Sequence, residues 1–185
     1  ADFSGLELDK AGVKFKDGRI AVDDYLKTNI EHIYAAGDCT GKIMLAHYAS
    51  YQGKIAAENI LKPNSKKADN QVVPICIFTD PEIAEVGLSQ EDAVSNSIEV
   101  KVSKFDFAGS GMARILDEAE GFVKILSCPK TGQVLGGAII GPRATELIGI
   151  IGLAVQAGLK LSDIQQTIFA HPTLSESIHQ AAGGI

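Results

Sequence analysis

The apolar positions of this chain change period several times, and each change marks a different element. Ile98-Glu99-Val100-Lys101-Val102-Ser103-Lys104-Phe105 alternates apolar and polar residues, the pattern of a strand in a sheet with one wet face. Phe122 to Leu126 and Val134 to Ile140 are apolar runs on either side of Pro129-Lys130-Thr131-Gly132, which predicts a hairpin. Val72 to Thr79 and Ile83 to Val86 read as strands around an Asp80-Pro81 turn, and Ser89-Gln90-Glu91-Asp92 can cap a short helix. These connections are short, so the strands are expected to pair antiparallel. Elsewhere the period lengthens to three or four. From about Leu45 to Leu61 a helix is predicted with a stripe of small residues, Ala46, Ala49, Gly53, Ala56 and Ala57, which lets another backbone or a flat ring approach closely. A second helix, Arg143 to Ala157, is apolar almost all the way round at Leu147, Ile148, Ile150, Ile151, Leu153 and Val155. Such a helix calls for cover on more than one side, from its own sheet or from a partner subunit, and the periodicity slightly favours the subunit.

Before the helix at 45–61 the pattern is broken by turn residues. Gly12, Asp17 and Gly18 punctuate short apolar runs, Arg19-Ile20-Ala21-Val22 reads as a brief strand, and Ile30 to Ala36 reads as a buried strand ending at Gly37-Asp38. After the helix, Lys62 to Asn70 is polar, contains proline and has no apolar period, so it is taken as a linker. Two domains follow, residues 1–70 and 71–185, the second α+β with an antiparallel sheet and helices.

Composition narrows the function classes. The chain has 185 residues, with 45% hydrophobic and 22% charged content, ordinary for a globular protein. A net charge of -6, and no basic cluster beyond Lys66-Lys67, argue against nucleic acid or an anionic membrane as partner. No apolar run reaches the roughly 18 residues of a spanning helix, and the first residues lack a signal peptide's pattern. A cytoplasmic location is expected, or the mitochondrial matrix in a eukaryote. Cys39, Cys76 and Cys128 lie too far apart in sequence to form a CxxC pair, and each reads as a small buried apolar residue; no metal site is expected.

Two stretches carry chemistry. In Phe169-Ala170-His171-Pro172-Thr173-Leu174-Ser175-Glu176, Pro172 disfavours a helical His171, and Thr173 three residues before Glu176 writes a capping box. His171 should then sit just outside a helix start, with Glu176 one turn inside it. A histidine there exchanges protons near neutral pH, and a neighbouring carboxylate can set its tautomer and stabilise the imidazolium. The same Thr-x-x-Glu pair is also what a plain helix cap requires, and the two oxygens of Glu176 allow both uses. In Tyr34-Ala35-Ala36-Gly37-Asp38 a strand ends in glycine and then an acid, at the edge where open α/β sheets bind ligands. Asp38 can accept hydrogen bonds from a sugar-like hydroxyl, or serve only as an acidic turn residue.

The octapeptide ending at Glu176 resembles the C-terminal signature of the class I pyridine nucleotide-disulfide oxidoreductases, the dihydrolipoamide dehydrogenase branch above all. Gly37-Asp38 followed by Met44-Leu45-Ala46-His47 is similar to that family's second flavin-contact segment. Further motifs fit in order, among them Thr79-Asp80-Pro81-Glu82-Ile83-Ala84 and Gly136-Gly137-Ala138-Ile139-Ile140-Gly141. The resemblance implies that residues to about 70 close the nicotinamide and flavin domains, a partial α/β segment, and that 71–185 is the dimerisation domain. It implies FAD and NAD as cofactors of the parent enzyme, with Asp38 on the ribityl chain and the backbone of Met44, Leu45, Ala46 and His47 near the isoalloxazine. It implies that His171 is the acid-base residue oriented by Glu176, both acting on the other subunit of a homodimer. Dihydrolipoamide on a lipoyl domain, in a 2-oxo acid dehydrogenase or glycine cleavage system, would be the substrate.

Departures from that pattern matter. Phe169-Ala170 stands where histidine and alanine are usual, no GxGxxG turn occurs, and no cysteine pair has the family's spacing. Without those parts thiol-disulfide exchange has no enzyme disulfide to attack, so the 185 residues alone are expected to be inactive and to bind no cofactor. A non-catalytic dimerisation module and a piece of a glutathione or mercuric reductase-like enzyme are the alternatives. Leu174, between Thr173 and Ser175, points to the lipoamide branch.

Overall fold

A computed structural model describes residues 2–183, which divide into two compact units, residues 2–70 and 71–183. In the first unit, β1 (Phe15–Lys16) and β2 (Arg19–Ile20) form an antiparallel hairpin. Its two-residue turn, Asp17 and Gly18, has positive φ at both positions (52° and 72°), the combination whose twist matches paired strands. A 3-10 helix, Gly37–Thr40, leads to α1 (Ala46–Leu61). The small face of α1 is used here: Gly37, at φ 81°, packs so close that an added Cβ would lie 3.0 Å from that of Ala49.

The structure corrects the expected strand at 30–36. Tyr34 makes an isolated bridge to Lys27, and no ladder forms there among the described residues. The apolar run is explained by burial rather than pairing: Ala35 is buried with Val13 and Ile20, and Ile30 and Ile33 pack on that cluster. The segment 62–70 is also more than a passive connection. Asn59, fully buried on α1, donates to the carbonyls of Tyr25 and Lys66 and accepts from the amides of Ser65 and Lys66. Farther along, the Ala68 amide bonds the Asp24 carbonyl and the Asp69 amide bonds the Tyr51 hydroxyl.

The second unit is a five-stranded sheet in the order β3-β4-β7-β6-β5, every neighbouring pair antiparallel. Its strands are β3 (Ile75–Ile77), β4 (Glu82–Gly87), β5 (Lys101–Asp106), β6 (Phe122–Ser127) and β7 (Val134–Gly141). The helices are α2 (Gln90–Ser95), α3 (Gly111–Ile115), α4 (Ala144–Gln156), α5 (Leu161–Gln166) and α6 (Glu176–Ala181). Register aligns Ala84, Ile139 and Val123 in one row and Val86, Gly137 and Ile125 in the next. With α4 and α6 against the sheet, these rows bury a continuous apolar cluster that includes Phe107, Ile148, Ile151 and Ile178. Helix α4 finds its cover on this sheet through Leu147, Ile148, Ile151 and Ala154, while Leu153 stays exposed. No helix among the described residues is long and apolar enough to cross a membrane.

Candidate functional site

The corner at 171–176 is built by backbone geometry and two oxygens. The His171–Pro172 bond is cis, Leu174 is buried under the turn, and α6 begins at Glu176 itself. Glu176 is therefore the first helical residue, not one a full turn inside, and the expected capping box forms only in part. The Glu176 Oε2 accepts the Thr173 amide at 2.7 Å, but the Thr173 hydroxyl donates back to the Ala170 carbonyl at 2.7 Å rather than accepting from the helix. The other carboxylate oxygen, Oε1, lies 2.9 Å from His171 Nδ1.

That contact decides what the ring can do. A carboxylate only accepts, so Nδ1 carries the proton toward Glu176 and Nε2 keeps its lone pair for an outside partner. The imidazole is open to solvent, with 78% of its side chain exposed against 30% for Glu176. It is thus not sealed in the core of its own subunit. The Thr173 amide first, and the His171 ring second, hold the Glu176 carboxyl below the usual carboxylate range, against a small opposing effect of burial. Glu176 stays anionic at neutral pH and can stabilise a proton taken up at Nε2.

Beside the pair lies an open cleft of about 270 Å³, walled by Phe105, Gly109, Ser110, Ser177 and Gln180. Sequence reasoning missed these residues; the only local signal was Ser110 before Gly111, a cap for α3, whose Oγ accepts the Ala113 amide. A larger concavity, about 560 Å³, is lined by five carboxylates, among them Asp80, Glu82, Asp117 and Glu118, together with Arg143, and its lining includes no histidine or thiol. There Glu82 is occupied structurally: the Thr145 amide and hydroxyl donate to it at 2.9 and 2.7 Å and hold its carboxyl low.

The other expected set lies on the first unit. Asp38 is exposed on the 3-10 helix, and that helix packs on α1. Met44, Ala46 and His47 are exposed and Leu45 half-buried at the start of α1. The N-cap position of α1 is Leu45, whose side chain cannot accept from the first-turn amides. Nearby, fully buried Gln52 accepts the Gly37 amide through Oε1 at 2.7 Å. The cysteines depart from the expected burial, since all three are free and only half-buried. The hydroxyl and amide of Thr131 and the amide of Lys130 pull the Cys128 thiol below its ordinary pKa.

Residues 73–182 match the family model of the pyridine nucleotide-disulphide oxidoreductase dimerisation domain. The chain belongs to the pyridine nucleotide-disulphide oxidoreductase family. A second model of that family, pyridine nucleotide-disulphide oxidoreductase, matches residues 3–53. Among relatives of this chain, dihydrolipoyl dehydrogenase from Chlamydia trachomatis is 50% identical over 172 residues, 92% of this chain and 37% of that protein. Dihydrolipoyl dehydrogenase 3 from Haloarcula marismortui is 43% identical over 178 residues, 96% of this chain and 37% of its own length. In fold it matches LpdA from Mycobacterium tuberculosis with a TM-score of 0.93 at 36% identity, covering 98% of this chain and 40% of that one. The HOCl-induced flavoprotein disulfide reductase RclA from Escherichia coli matches with a TM-score of 0.91 at 26% identity, covering 99% of this chain and 42% of that one. The chain thus spans under two fifths of the length of these curated relatives.

Proposed function

We propose that this chain supplies the acid-base pair and the subunit interface of a dihydrolipoyl dehydrogenase, the enzyme that oxidises dihydrolipoamide and reduces NAD. The observation that carries the reading is the 2.9 Å contact of His171 Nδ1 with an anionic Glu176, which leaves Nε2 outward and basic. In this reading His171 Nε2 accepts a proton from one thiol of the substrate, and the thiolate so formed attacks an enzyme disulfide contributed by residues outside this chain. Glu176 keeps the ring in the productive tautomer and balances its positive charge. We place that sulfur on the partner subunit, a reading supported by the exposure of the ring and the match of residues 73–182 to a dimerisation domain. Names of the relatives support the lipoyl branch over a sibling reductase, since identity to dihydrolipoyl dehydrogenases reaches 50% against 26% to RclA.

FAD, when bound, would supply a two-electron acceptor between the reduced enzyme disulfide and NAD. The residues of the first unit fit such a group. Exposed Asp38 offers acceptors for ribityl hydroxyls, and the start of α1 at Met44, Leu45, Ala46 and His47, where the N-cap Leu45 offers no side-chain acceptor, would set backbone amides near a flat electron acceptor. Without glycine-rich turns or a cysteine pair, residues 1–185 need the rest of the enzyme to turn over. The physiological partner is a lipoyl domain of a 2-oxo acid dehydrogenase or glycine cleavage system, and the location cytoplasmic or mitochondrial.

The test is His171→Gln in a full-length enzyme carrying these residues. Losing a positioned general base costs on the order of a hundred- to ten-thousand-fold, so dithiol oxidation should collapse while flavin stays bound. Activity retained within a few fold would remove His171 from this role.

A further inference from the structure

Glu176 is not the only residue of α6 that holds the histidine-bearing segment. Upstream of His171, the ring of His179 packs against Phe169, with centroids 5.6 Å apart at 51°. Nε2 of the same ring lies 3.1 Å from the Gln165 carbonyl at the end of α5. Phe169 in turn packs on the main apolar cluster. Downstream, the Thr173 amide is bound by Glu176. The strand of chain from 165 to 173 is thus tied to one face of α6 at both ends, and His171 rides on the span between the ties. Since the imidazole of His171 is mostly exposed and its hydrogen bond within this unit is to Glu176, its direction depends on where that span lies. Phe169 and His179 also make sense together. The family resemblance places a histidine at 169; here an aromatic ring stands there and meets a histidine ten residues later.

We infer that His179 is a positioning residue for His171, fixing the 165–171 span through the Phe169 ring and the Gln165 carbonyl so that His171 Nδ1 meets Glu176. The inference rests on the reading of His171 as the base. Removing His179 leaves α5 and α6 joined, because the Gln165 side chain also donates to the Ala182 carbonyl. The variant should therefore fold and lose alignment rather than structure.

The experiment is steady-state kinetics of His179→Ala and His179→Gln in the full-length enzyme, alone and combined with His171→Gln. Oxidation of free dihydrolipoamide is measured beside NADH-ferricyanide activity, which needs the flavin but no thiol deprotonation. His179→Ala should lower kcat for the dithiol about tenfold, a loss of the kind small misplacements of a catalytic group produce, with KM and ferricyanide activity within about twofold. His179→Gln, which keeps a donor for the Gln165 carbonyl, should recover part of the loss. In the His171→Gln background, His179→Ala should add less than about twofold, because a residue that acts through another loses its effect when that one is gone. Equal losses in both backgrounds, parallel loss of dithiol and ferricyanide activity, or no loss at all would overturn the assignment. Failure of the underlying reading is distinct: it would show as full dithiol activity in His171→Gln itself.

Discussion

Residues 71–185 bury a continuous apolar cluster between a five-stranded sheet and its helices, whereas residues 1–70 hold two small apolar clusters and rely on buried polar side chains. In the first unit the buried polar residues are Thr28, Thr40, Gln52 and Asn59, and each bonds backbone groups of turns or irregular segments. In the second they are small serines, and Ser127 and Ser177 have no partner at all for their hydroxyls. The contrast teaches that one unit is specified by non-directional burial and the other by directional hydrogen bonds. Their candidate chemistry follows suit. The second unit offers a stiff platform for an exposed acid-base pair, and the first offers a turn and a helix start whose amides and acid can meet a ligand.

The largest expected effect is on the apolar side of this contrast. Ile139, fully buried in the central strand, should cost about 2–5 kcal/mol as Ile139→Ala, read as a lower denaturant midpoint for residues 71–185. A loss under about 1 kcal/mol would mean that this cluster does not hold the unit together. On the polar side, Asn59→Ala leaves several backbone groups without partners and should cost about 1–3 kcal/mol. Hydrogen exchange should show the Ser65 and Lys66 amides losing protection while the β6–β7 amides keep theirs; spread of the effect into the sheet would erase the distinction between the units.

The smallest effect is on pH. Glu82 and Glu176 are both held below their ordinary value of 4.5, so the native state binds those protons less readily than the unfolded chain. Their contribution is complete above about pH 4.5 and is lost as pH falls through the native values. Unfolding midpoints of residues 71–185 should therefore drop on acidification below that point, and less steeply in Glu176→Gln; an unchanged slope would show that the Thr173 and His171 bonds do not stabilise the carboxylate.

How much could be read from the residues follows from range. β6 and β7 were expected at Phe122–Leu126 and Val134–Ile140 and differ by one residue each, because apolar runs bounded by a Pro-Lys-Thr-Gly turn are local signals. Ile30–Ala36 misled because an apolar run reports burial and not the presence of a neighbouring strand. Helices α3 and α5 fill fewer than two turns, too short to show a period. At the candidate site, the meeting of His171 with Glu176 was legible from Pro172 and the Thr173-x-x-Glu176 pattern, and the Thr173 amide bond to Glu176 came with it. The Phe169–His179 contact was not, since it depends on how the chain turns between residues ten apart.

The most direct test of the central claim, that an outward-facing His171 held by Glu176 deprotonates the substrate dithiol, is the single-turnover rate of flavin reduction by dihydrolipoamide in the His171→Gln enzyme. The account predicts a reduction rate slower by at least a hundredfold, with the flavin spectrum unaltered before mixing. Reduction within a few fold of the unsubstituted enzyme would contradict it.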